Sequence, residues 1–214
     1  MTQTLAYALA AAASPIPIIG VILILSTPRA HSNSLALFAG WLFGVFGVGL
    51  LLLALSSGAG YDSEDSGSDP VKIVLGVLLL LVAGRQWRGR PQGGEQPDLP
   101  GWMRTVDNFD AMRAAALGFA LAAINPKNLL LVAAGASAIA ATGEPTSDQI
   151  AKLLIFTAVA SIGVATPIVV NAVAGERADP LLASMRAWLA RNNATVLAVI
   201  CALIGINLIV NGLG

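Results

Sequence analysis

Ala123-Ile124-Asn125-Pro126-Lys127-Asn128 interrupts a long apolar run, Ala114 to Ala141, near its middle. Lys127 is the one charged residue of that run. A lysine at bilayer depth costs roughly 2.5–3.5 kcal/mol on insertion scales, so it normally faces a cavity or a partner. Pro126 removes a backbone donor and clashes with the preceding turn. Backbone groups freed in this way are tolerated in a membrane only where protein or water satisfies them. A broken helix, two asparagines and an ammonium at mid-membrane read as a polar substrate site. The competing reading is a kinked helix whose lysine snorkels to an interface. About eleven to fourteen apolar-rich residues on each side of the motif oppose it.

Composition agrees with a membrane setting. The 214 residues are 56% hydrophobic and 11% charged, with mean hydropathy +0.77. Soluble domains carry about 25% charged residues. Six apolar segments approach the roughly 17–25 residues that a spanning helix needs. They run over Leu5–Leu25, Leu35–Leu55, Val71–Gln86, Arg113–Ala141, Lys152–Gly175 and Ala194–Gly212. The reading is all-α: a polytopic membrane protein of six transmembrane helices. Net charge is zero, so nucleic-acid binding has no electrostatic support. The first residues lack Lys and Arg and the apolar stretch runs past Ala13, so a cleaved signal peptide is not expected.

Charge patterning sets an expected orientation. Arg29 lies in the first loop; Arg85, Arg88, Arg90, Arg104 and Arg113 in the third; Arg177, Arg186 and Arg191 in the fifth. The second loop carries Asp62, Glu64, Asp65 and Asp69, and the fourth Glu144 and Asp148. Basic loops face the cytoplasm, which puts both termini outside.

The first span repeats the central motif. Ala12-Ala13-Ser14-Pro15-Ile16-Pro17 parallels Ala123-Ile124-Asn125-Pro126-Lys127-Asn128: small residues, a polar residue, a proline, then continuation. Three spans per copy reverse the second copy, giving a 3+3 inverted repeat. Its parts are residues 1–86, a linker at 87–112 with an interfacial or loop helix around Trp102, Val106 and Phe109, and residues 113–214. Paired Pro-interrupted spans in two halves point to a transporter site at the repeat interface. The candidate substrate-binding residues are Ser14, Pro15, Pro17, Asn125, Pro126, Lys127 and Asn128, with Thr166 and Asn171 beside Pro167 in the fifth span.

Other features are read more plainly. Gly40, Gly44, Gly47 and Gly49 permit close helix contact, within the chain or at a dimer face. Residues 56–69 read as a mobile external loop. Asp179 and Pro180 start a short amphipathic helix with Leu182, Met185 and Trp188, and Arg186 and Arg191 reach anionic headgroups. Asn207 lies deep enough to need a partner. Cys201, the single cysteine, reads as packing. One histidine and no span carboxylate weaken the case for a metal exporter and for proton coupling, leaving coupling through Lys127 open. No P-loop is present, no cofactor is implied, and an intramembrane hydrolase lacks a base beside Ser14.

The runs Ser14-Pro15-Ile16-Pro17-Ile18, Thr27-Pro28-Arg29-Ala30, Phe38-Ala39-Gly40-Trp41, Arg85-Gln86-Trp87, Ile124-Asn125-Pro126-Lys127-Asn128-Leu129 and Trp188-Leu189-Ala190-Arg191-Asn192-Asn193 resemble the GAP or sulfolipid-addressing protein family. The likeness covers nearly the whole chain. It implies the LysE exporter superfamily, a six-span LysE-like fold, an actinobacterial inner membrane and export of a cell-envelope glycolipid or peptidoglycolipid. The expected partners are that lipid and the membrane, with a homodimer, lipid-synthesis enzymes or other envelope transporters beside them. The other classes carried forward are an amino-acid-type metabolite exporter and a non-transporting scaffold for lipid-synthesis enzymes.

Overall fold

Proline chemistry sets the first and central breaks of the bundle. The computed structural model describes residues 2–58, 70–90, 103 and 105–213, and these are helical almost throughout. The chain runs α1 (Thr2–Ala12), α2 (Pro15–Leu25), α3 (Ala30–Gly58), α4 (Pro70–Arg88), a 3-10 turn (Val106–Asn108), α5 (Ala111–Ala123) and α6 (Pro126–Ala140). It ends with α7 (Thr146–Ala160), α8 (Ile162–Ala174), a second 3-10 turn (Gly175–Ala178) and α9 (Asp179–Gly212). A proline pushes the residue before it out of helical space. Ser14 (ψ 110°) and Asn125 (ψ 117°) are accordingly extended, and each precedes a proline in a new helix's first turn.

Three helices are long and apolar enough to cross a membrane: α3, α4 and α9. Three bent pairs pass the same test together: α1–α2 at 45°, α5–α6 at 62° and α7–α8 at 52°. The described residues therefore hold three to six candidate spans. Phe43, Leu81, Val173 and Leu203 are all more than half exposed. An apolar surface of that extent fits a lipid-facing bundle, since soluble monomers rarely expose large apolar patches.

Small residues let the helices touch backbone to backbone. A Cβ on Gly40 of α3 would lie 2.0 Å from the Ala115 carbonyl oxygen of α5. On Gly118 of α5 it would lie 2.0 Å from that of Leu37. Gly76 of α4 and Gly205 of α9 face each other in the same way. The second-span glycines thus serve packing inside the chain, except Gly47, which meets nothing within 4 Å.

Several local expectations are corrected. The short fifth-loop helix does not end before the last span: α9 is one helix of 34 residues, about 51 Å long, against a hydrocarbon core of roughly 30 Å. No Gly or Pro separates Arg191 from Ala194, so nothing stops it. Asp179 is its first residue, not its cap, and Ala178 precedes it. Pro167 sits inside α8, and the fifth-span bend falls earlier, at Ser161. No helix forms over 105–110 beyond the single turn at Val106–Asn108; Val106 is buried and Phe109 packs on the core. Asn207 is exposed on the bundle surface, and its backbone carbonyl accepts from Asn211 Nδ2 one turn on, at 2.7 Å. The loop at 59–69, the linker at 91–100, Trp102 and Arg104 lie outside the described residues.

Candidate functional site

The ends of four half-helices meet at one cluster. Ser14 joins α1 to α2, and Asn125 joins α5 to α6. Lys127 and Asn128 lie in the first turn of α6 and project into the core, with Lys127 3% exposed and Asn128 fully buried. The Lys127 ammonium donates to the Ala10 carbonyl of α1 at 2.7 Å and to Ser14 Oγ at 2.9 Å. Ser14 Oγ donates in turn to Asn128 Oδ1 at 2.7 Å. Asn128 Nδ2 donates to the Leu121 carbonyl of α5 at 2.8 Å. Asn125 Oδ1 accepts from the Lys127 backbone N–H at 3.2 Å and caps α6.

The chemistry of this set follows from helix ends. The last carbonyls of a helix lack intrahelical partners and carry partial negative charge. Lys127 takes one such carbonyl on α1, and the Asn128 amide takes one on α5. An ammonium has three donors, and two are used here. No carboxylate bonds it among the described residues. The Cys201 thiol of α9 is also buried.

The sequence left Ser14 without a base, whereas the structure sets an amine beside it. The Ser14 proton is nonetheless directed at Asn128, and Lys127 donates to the serine. The contact joins donor to acceptor and does not activate a nucleophile.

A second polar cluster adjoins the third bend. Trp41 Nε1 donates to Ser161 Oγ at 3.2 Å, and Ser161 Oγ donates to the Thr157 carbonyl at 2.6 Å. All three residues are buried. Gly163, two residues on, presses against the Ala12 carbonyl at the end of α1, where a Cβ would lie 1.9 Å away. The third bend therefore touches the first.

The structure brings Ser14, Asn125, Lys127 and Asn128 together, with Pro15, Pro17 and Pro126 in the first turns that shape the breaks. It leaves Thr166 and Asn171 outside. Thr166 is exposed and bonds the Ile162 carbonyl of its own helix. Asn171 is half-buried, and no hydrogen bond joins it to the cluster among the described residues. Ala10, Trp41 and Ser161 went unseen in the sequence. Ser161 and Gly163, polar and small within an apolar span, were the only signal.

The fold and the site define an all-helical membrane protein whose broken helices close on a buried lysine. The family model described as SfLAP: Sap, sulfolipid-1-addressing protein, matches residues 4–214, and the chain belongs to that family. Membership ties it to sulfolipid and envelope-lipid biology. No curated protein and no solved structure matches it.

Proposed function

We propose that this chain is a transporter of the bacterial plasma membrane, without enzymatic activity, that moves an envelope glycolipid or peptidoglycolipid with its anionic or polar head at Lys127. One observation carries the reading: a lysine 3% exposed, with no carboxylate bonded to it among the described residues, stands where two broken helices cross. A buried cation of this kind suits a sulfate, phosphate or carboxylate head. The positive end of the α6 dipole, at its N-terminus, favours the same charge. The closed cluster corresponds to an occluded state, with the lipid tails leaving sideways between helices.

The reading places the chain in the LysE superfamily as a 3+3 inverted repeat, with the halves at 1–86 and 113–214, the linker at 87–112 and both termini outside. Matched contacts support it. Ser14-Pro15 and Asn125-Pro126 break the first span of each half in the same way. Gly40 of the second span presses on the first half of the fourth, and Gly163 of the fifth presses on the first half of the first. The third and sixth spans meet through Gly76 and Gly205. The halves differ in that α3 is continuous whereas α7–α8 is bent.

The test is envelope-lipid analysis of a deletion strain carrying Lys127→Ala. Loss of a surface glycolipid with normal metabolite efflux is expected. Full restoration of the lipid by Lys127→Ala overturns the site. Lost metabolite efflux with unchanged surface lipids replaces the lipid by a small metabolite.

A further inference from the structure

We propose that Lys127 binds the coupling proton of this carrier, acting as a cation tethered to α6 that closes the site when protonated and opens it when neutral. The proposal rests on the transporter reading and adds its energy source. In cation-coupled carriers, carbonyls at unwound or terminal helix segments hold the coupling ion. Here the Ala10 carbonyl and Ser14 Oγ, at the end of α1 and the start of α2, hold an ammonium instead. A cation fixed to the chain cannot leave the site by dissociation. Its charge is exchanged only by losing a proton.

Among the described residues, no other buried side chain carries a charge to exchange. Lys127 is the only charged side chain among the buried described residues. The buried titratable groups on elements near it are Tyr7 on α1 and Cys201 on α9. Most charged groups of the neighbouring helices stand near their ends: His31 on α3, Lys72, Arg85 and Arg88 on α4, Arg113 on α5, Asp148 on α7 and Asp179 on α9; Lys152 lies in the middle of α7, and Arg186 and Arg191 in the first half of α9. Glu144, in the loop before α7, pairs with Lys152. Proton transit through the core therefore falls to Lys127.

The step balances simply. One proton leaves Lys127 Nζ for water on one side and is regained from water on the other, and no electrons move. Protonated, the ammonium ties α6 to α1 and α2 across the break. Neutral, the amine has a lone pair to which the Ser14 hydroxyl can turn from Asn128. The bond to Ala10 then keeps an N–H donor but loses its charge assistance, so the hold of α6 on the end of α1 weakens.

Cys201 reports this opening, since it is the single cysteine and lies wholly buried in the same apolar core as Ala10 of α1. The experiment measures its modification rate by N-ethylmaleimide in purified protein in nanodiscs over a pH series. The thiol's own ionisation is removed by dividing by the rate of an exposed thiol, Ser32→Cys on a Cys201→Ala chain, which leaves Lys127 unchanged. The quotient is expected to rise about tenfold per pH unit until the lysine is neutral, as the neutral fraction of one group does. In Lys127→Arg, which stays charged, it is expected to remain flat. A flat quotient in the unaltered chain, or the same rise in Lys127→Arg, overturns the proposal. Lipid export separates the two readings: a flat quotient with export abolished in Lys127→Met sinks the proton role alone, and export intact in Lys127→Met sinks the transport site as well.

Discussion

Gly163→Ala is expected to release the lysine cluster without touching it. The added Cβ would lie 1.9 Å from the Ala12 carbonyl oxygen, about 1.5 Å short of the 3.4 Å at which ordinary contact begins. The obstructing atom is backbone, so no side chain can turn away. α1 is short, 11 residues, and ends at this point, so it is the element that yields. A shift of that size carries the Ala10 carbonyl from 2.7 Å to about 4 Å from Lys127, beyond hydrogen-bond reach. Overpacking costs about 1–3 kcal/mol, and a lost charge-assisted bond about 1.5–3 kcal/mol. The sum is about 2.5–6 kcal/mol, on the order of 10 °C in melting temperature for a chain of this size. Gly40→Ala is the matched comparison, because its Cβ meets the Ala115 backbone at 2.0 Å in the α3–α5 seam. Both variants should melt earlier, measured by thermal unfolding in detergent. Only Gly163→Ala should also speed modification of Cys201. Unchanged melting in Gly163→Ala refutes the tight α1–α8 contact, and equal labelling in the two variants refutes its link to the lysine.

Three further outcomes follow from the same geometry. Ser14→Ala leaves Asn128 Oδ1 and one lysine donor without their partner, costing about 2–3 kcal/mol by thermal unfolding, whereas Ser14→Thr restores part of it. Asn125→Ala removes the cap of α6 at about 1 kcal/mol but keeps the bend, because Pro126 remains; Pro126→Ala should straighten α5–α6, read as a longer distance between spin labels near their outer ends. Trp41→Phe deletes one bond to Ser161, which still donates to Thr157, so it should cost only about 0.5–1.5 kcal/mol in a denaturation series.

What could be read before the structure was what single residues dictate. Pro15 and Pro126 force a break wherever they stand, and Lys127 must find partners at bilayer depth, so the core of the site was legible. The lysine's main acceptor was not. It is the carbonyl of Ala10, and a backbone oxygen has no signature in a row of alanines. The third break was not legible, because Pro167 is accommodated inside α8 and the bend falls at Ser161, six residues earlier. Thr166 stands apart from the cluster because a helical threonine can bond back to its own helix, and here it does. The glycines of α3 announced a close seam, but their partner, α5, is fixed by tertiary packing alone. Arg186 and Arg191 suggested a separate surface helix, yet charge does not interrupt a helix, and α9 runs straight through them.

The choice of lysine at position 127 is itself informative. A strap from α6 to the end of α1 needs only a donor of sufficient length, and a neutral amide donates to a carbonyl without the cost of burying charge. Buried ions are also weak sources of stability, since apolar replacements are often neutral or better. The chain has twelve basic and twelve acidic residues, yet no carboxylate is bonded to Lys127 among the described residues. It is balanced instead by a helix end and a hydroxyl, partners that can let go. A carboxylate would lock the charge in place, and a neutral amide would carry none to exchange. A lone ammonium held by dipoles can trade them for an anionic head or give up its proton, and either trade loosens the contact between the two broken spans.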